Sequence, residues 1–225
     1  GLKIVLSPVC DRYDLFDIYL GRPYIEFKDS RIIKYCYEIN YEKKNEINLN
    51  HSCVNDKSIS ICFSGGSYLE SEISNILFGL NNNSNINKVI LPMHYMEMFR
   101  SLNFKFEYKV EFVPSTNLWN GEFGKSKYFA GSDGLMIFEA LLRRKNIISI
   151  TESSRSFKVE NYNKKNLLDL YLLSPDKKIS YDDALNKLAA NAEKRAPIIK
   201  RWITDEVISF KSAFIACLHD NGIYI

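Results

Sequence analysis

Between residues 58 and 150 the chain alternates four or five times between short β-branched runs and helical stretches, and this pattern most limits the fold. "SISICFSGG", "KVILP", "YKVEFVP", "KYFAG" and "NIISI" read as strands. Between the first two, Leu69, Ile73, Ile76, Leu77 and Leu80 fall at helical spacing. "NNNSNIN" is a polar turn, "HYMEMFRSL" a short helix and "NLWNGEFG" a helix or tight turn. Strands separated by helices call for a parallel sheet covered on both faces, an open Rossmann-like α/β layer. In such sheets ligands bind at the C-terminal ends of the strands. The two glycine clusters, "FSGGS" and "FAGSDG", both fall at strand-to-helix turns.

The flanks differ from this core. "LKIVLS" and Ile18–Leu20 read as short strands, and residues 40–57, rich in Asn, Lys and Glu, as a loop. Three regions are expected: an interdomain strand and linker over 1–57, a nucleotide-binding domain over 58–170, and C-terminal helices over 171–225. The tail holds two helices. Ser180 or Asp182 can cap the first, Pro197 begins or kinks the second, and Asn221-Gly222 stops it.

Composition narrows the function classes. A formal net charge of +3 over 225 residues, with Lys and Arg spread out, does not call for nucleic acid as a partner. No window reaches about 18 consecutive apolar residues, so no transmembrane segment is expected. The five cysteines form no CxxC pair, which fits free thiols in a reducing, cytoplasmic compartment. His51 and Cys53 lack a second ligand pair at zinc-like spacing, so no metal site and no cofactor are expected. The chain opens on Gly1 rather than Met, and a piece of a longer protein is expected.

Several residues carry site chemistry. "SGGS", with Gly65, Gly66 and Ser67, either cradles a phosphate at a helix end or is a plain tight turn. It is not a P-loop, because no GK[ST] follows. Glu139 lies about one and a half turns past Gly134, between apolar neighbours. A buried carboxylate needs hydrogen-bond partners. Vicinal ribose hydroxyls would supply them, and a surface pair with Arg143 at i+4 is the plainer alternative. His94 follows a strand end, with no nucleophile near it in sequence. Arg155, at another strand end, meets either a phosphate or solvent.

Taken together, these pieces resemble the C-terminal domain of GT-B-fold nucleotide-sugar enzymes over about residues 58–152. The named relatives are the UDP-sugar hydrolases of the pseudaminic acid pathway and, more distantly, the lipid II-forming N-acetylglucosaminyltransferase. The resemblance lies in the "GGS" turn after the first strand, the "VEFVP" strand, and the run from Ser132, Asp133 and Gly134 through Leu135–Phe138 to Glu139. It implies half of a GT-B fold with a helical tail, binding a nucleotide-sugar with UDP as the expected nucleotide. The enzyme would be a hydrolase or glycosyltransferase of bacterial surface-glycan synthesis. Glu139 would hold the ribose and the turn before it would face the diphosphate. Val113 and Pro114, in the loop running to Thr116, would frame the base.

Two features depart from the pattern. Asp133 sits where the diphosphate should approach, so it either repels the ligand or caps the helix. The glycine-rich loop and acceptor-side residues of the family's N-terminal domain do not occur, so no catalytic residue is assigned. Apolar tail residues such as Leu185, Leu188, Ile198, Trp202 and Phe214 would then meet a missing N-terminal domain or a second copy. A non-catalytic α/β interaction module that has lost the ligand is the alternative function.

Overall fold

The computed structural model describes residues 4–6, 18–21, 32–34, 57–63, 68–116, 118–174, 178–205 and 210–220. The chain divides into two units, Asn50–Lys200 and a second formed by Gly1–Leu49 with Arg201–Ile225.

In the second unit, β1 (Ile4–Leu6), β2 (Ile18–Gly21) and β3 (Ile32–Lys34) form a parallel sheet in that order. The last helix, α7 (Phe210–Asp220), lies against β2 and β3. The expected loop over residues 40–57 and the stop at Asn221-Gly222 lie outside the described residues, apart from Lys57.

The Asn50–Lys200 unit holds six parallel strands: β4 (Ser58–Cys62), β5 (Lys88–Pro92), β6 (Lys109–Val113), β7 (Tyr128–Gly131), β8 (Asn146–Glu152) and β9 (Asp169–Leu173). Their order is β6-β5-β4-β7-β8-β9. It reverses between β4 and β7, which places the topological switch point there. All five residues of β4 are buried, as a central parallel strand requires.

Side-chain alternation sorts the sheet into two faces. Ile59, Ile61, Val89, Leu91, Tyr128, Ala130, Ile148 and Ile150 share one core. Helix α1 (Tyr68–Leu80) covers it with Ile73, Ile76, Leu77 and Leu80, and α6 (Tyr181–Asp205) adds Ala184, Leu185 and Leu188. Phe129, one residue out of phase in β7, instead packs tilted against Trp119 and edge-to-face with Phe123. The helix α4 (Leu135–Leu142) packs on β7 and β8, and α5 (Phe157–Lys164) on β9. The short helices α2 (Met96–Ser101) and α3 (Glu122–Lys125) complete the connections.

Two readings of the tail change. Leu185 and Leu188 are buried in the sheet's own core, so they need neither a missing domain nor a second copy to cover them. Pro197 does not divide the tail: α6 runs through it to Asp205. A mid-helix proline costs about 3 kcal/mol. The stripe Leu185, Leu188, Ala192, Arg195, Ile199 and Trp202 is buried at alternating spacings of three and four. Ile199 and Trp202 lie beyond the proline, and burying two large apolar side chains at about 1.5–3 kcal/mol each offsets that cost. Ser180 is the residue that caps this helix, accepting a bond from the Asp183 backbone N–H at 3.4 Å.

One member of that stripe is charged. Arg195 is buried and donates through Nη1 and Nη2 to Asp169 at the start of β9, at 3.1 and 3.0 Å. Removing one partner of a buried pair leaves an uncompensated charge, at a cost of about 3–5 kcal/mol. Arg195→Met should therefore lower the urea midpoint by that equivalent. Arg195→Met combined with Asp169→Leu should recover most of it. Urea unfolding of the three proteins checks this, and an Arg195→Met midpoint equal to wild type would refute it.

Candidate functional site

The site begins where β4 and β7 end side by side, with Cys62 opposite Gly131. A Cβ on Gly131 would stand 2.7 Å from the Cys62 carbonyl oxygen and 2.7 Å from the Phe129 ring. The two strands thus approach too closely for any other residue. The chain then turns through Ser132, Asp133 and Gly134 into α4. Gly134 has φ of 103° with open space where a Cβ would be, so glycine is required there by conformation rather than by crowding.

This turn is sewn to β8. The Ser149 hydroxyl donates to the Ser132 carbonyl at 3.5 Å, and the Thr151 hydroxyl to Asp133 Oδ1 at 3.4 Å. Asp133 Oδ2 accepts from Nε and Nη2 of Arg155, at 3.2 and 3.0 Å. Asp133 is buried in this turn, and its charge is met by the Arg155 guanidinium.

Glu139 lies on α4 between fully buried Phe138 and Ala140 and is itself half-buried. Its Oε2 accepts a hydrogen bond from the Trp119 indole N–H. Burial pushes the carboxyl pKa up, opposed by the Trp119 bond and by the nearby Arg143 charge. The plain i+4 surface pair is not what forms. Arg143 Nη1 donates to the Glu139 backbone carbonyl at 3.3 Å, and the guanidinium stacks over Trp119 at 4.8 Å from the ring centroid. Lys145 braces the same ring from 5.9 Å, while its buried Nζ donates to the carbonyls of Gly124 and Ser126. Trp119 is thus wedged between two cations and two phenyl rings, with its one polar group aimed at Glu139.

The other side of the rim is built by Tyr95. Its hydroxyl donates to the Phe63 carbonyl at 2.9 Å and accepts from the Phe63 N–H at 3.1 Å. This fixes the backbone of β4 as it leaves the sheet. Burial first, and then the Glu139 charge, push the Cys62 thiol up to about 11, so it is a packed thiol rather than a nucleophile near neutrality. His94 Nδ1 bonds the Ser115 hydroxyl at 2.9 Å, tying the end of β5 to the end of β6.

The structure therefore gathers Ser132, Asp133, Gly134 and Glu139 into one turn and helix beside the end of β4. Val113 ends β6 and Pro114 follows it, exposed, two strands from β4 or about 10 Å along the sheet. Gly65, Gly66 and Ser67 lie outside the described residues. Trp119 and the Asp133–Arg155 pairing are the features sequence reasoning missed. A tryptophan needs a partner for its N–H when buried, but its acceptor lies 20 residues away.

No protein-family model matches the chain, and no curated protein does. Solved structures do. The glycotransferase of kitacinnamycin has a TM-score of 0.58 at 12% identity, covering 93% of this chain and 56% of that one. S. aureus TarM, in a complex with UDP, has 0.55 at 14%, covering 86% and 40%. The spinosyn rhamnosyltransferase SpnG has 0.52 at 12%, covering 74% and 45%. The chain thus spans about half or less of the length of these glycosyltransferases. The likeness establishes the fold: an open parallel α/β sheet with a helical C-terminal region, as in one half of a GT-B glycosyltransferase. Among the described residues, no helix is long and apolar enough to cross a membrane.

The raised Glu139 pKa carries a consequence for stability. The folded chain holds this proton more tightly than the unfolded chain does. The resulting stabilisation is fully present below the ordinary value of 4.5 and is lost as pH rises through the raised folded value. Glu139→Gln keeps an acceptor for Trp119 without a charge. Its melting temperature should match or exceed wild type at pH 7, and the gap should close towards pH 4. A variant that melts well below wild type at pH 7 would mean that the ionised carboxylate stabilises the fold.

Proposed function

We propose that the Asn50–Lys200 unit binds a nucleoside-diphosphate sugar, as the C-terminal half of a GT-B-type glycosyltransferase or sugar-nucleotide hydrolase. The observation that carries this reading is Glu139. A carboxylate held in a costly, half-buried position at the switch point is poorly explained by folding alone, since a neutral residue there would be cheaper. Its Oε2 is oriented by Trp119, and neither carboxylate oxygen is bridged to Arg143. Ribose hydroxyls are suitable donors for such a group.

The neighbouring features agree with this use. Gly134 leaves open space at the start of α4, where a diphosphate could come close to backbone N–H groups. Met93, His94, Pro114 and Ser115 at the ends of β5 and β6 offer a base an exposed platform of mixed polarity. Among solved structures of this fold, TarM is described with UDP and SpnG with thymidine diphosphate. We favour UDP for this chain, with transfer or hydrolysis in cytoplasmic surface-glycan synthesis. The acceptor side would come from a segment or partner beyond this unit.

Binding can be measured directly. UDP at about 100 times its dissociation constant adds about 2.7 kcal/mol to stability, so it should raise the melting temperature of the chain. Glu139→Gln should weaken UDP by about tenfold or more, because a hydrogen bond to a charged group is worth about 1.5–3 kcal/mol. If UDP, CDP and thymidine diphosphate all leave the melting temperature unchanged, the chain is instead an α/β interaction module without a nucleotide.

A further inference from the structure

We propose that Arg155 is the residue that reads the phosphate charge of the nucleotide, and that buried Asp133 is the positioning residue that aims it. This rests on the nucleotide-binding reading above and deepens it.

Asp133 lies between β7 and α4, on the approach to Gly134 and the first turn of the helix. A bare carboxylate there would oppose any phosphate. Its side chain is only 1% exposed, so solvent cannot screen it. The chain meets the charge from the end of the neighbouring strand instead: Arg155 follows β8 and bonds Asp133 Oδ2 through both Nε and Nη2.

A purely architectural role explains this pair less well. The turn is already joined to β8 by Ser149 on the Ser132 carbonyl and by Thr151 on Asp133 Oδ1. Asparagine at 133 would accept the Thr151 bond without burying a charge. What the carboxylate adds is a fixed guanidinium. Nε and Nη2 form one edge of the planar fork, and both bond Asp133 Oδ2. The Arg155 side chain remains 30% exposed on the same rim as Gly134. A guanidinium held by a buried acid loses less freedom on meeting a phosphate than one swinging in solvent. The pair also leaves little net charge at the site, so an anionic ligand meets an oriented donor rather than a bare acid.

The test separates phosphate from nucleoside. Calorimetry on the full chain would use UDP, UMP and uridine as probes, with wild type, Arg155→Gln, Arg155→Lys and Asp133→Asn. Arg155→Gln should weaken UDP by about tenfold or more, UMP by less, and uridine hardly at all. Arg155→Lys should recover only part of the loss, because lysine has no planar fork. Asp133→Asn should follow the same order of ligands with a smaller loss, and the salt dependence of UDP binding should flatten in Arg155→Gln. Because Arg155 is partly exposed, its variants keep the test valid even if Asp133→Asn fails to fold. Wild type that binds UDP while Arg155→Gln binds it equally well, or loses UDP and uridine alike, overturns this inference and leaves the nucleotide reading standing. Wild type that binds none of the three overturns both.

Discussion

The approach of β4 to β7 at Gly131 is the constraint on which the rest of the site depends. With 2.7 Å between a Cβ at that position and the Cys62 carbonyl, the strands can meet this closely only if residue 131 is glycine. The contact falls where the strand order reverses. The crevice of a doubly wound sheet opens there because the connections leave in opposite directions. Ser132, Asp133 and Gly134 follow β7 directly at that point, and α4 carries Glu139.

Around that crevice, polar groups are held by partners far away in sequence. Trp119 positions Glu139, and Arg143 and Lys145 hold Trp119. Arg155 and Thr151 hold Asp133, and Tyr95 holds the end of β4. Each of these groups loses hydration, and specific bonds offset that cost. The opposite arrangement prevails beneath the sheet, where α1 and α6 present almost wholly apolar faces. Arg195 is the buried charge there, and it locks α6 to β9.

Local physics explains what could be read from sequence. "KVILP" is β5 residue for residue, and Leu69, Ile73, Ile76, Leu77 and Leu80 all lie on α1. Strong periodicity and turn residues suffice for such elements. β9 escaped because "DLYLL" lies near the sheet edge with partly exposed residues and no clear period of two. The run through Pro197 escaped because tertiary burial of Ile199 and Trp202 overrides the local penalty. At the site, Glu139 stood out as a carboxylate amid apolar neighbours. The partner of Asp133 did not, since Arg155 is 22 residues on and meets it only through the β7–β8 pairing.

A nucleotide bound beside Glu139 would be sensed by its tryptophan partner. The chain has only two tryptophans, Trp119 and Trp202. Two indole N–H signals are therefore expected in a proton–nitrogen correlation spectrum, assignable by Trp119→Phe. Titration with UDP should shift the Trp119 signal, because its N–H bonds the carboxylate that would receive the ribose, and should leave Trp202 in place. A Trp119 signal that stays fixed through saturating UDP would contradict the account.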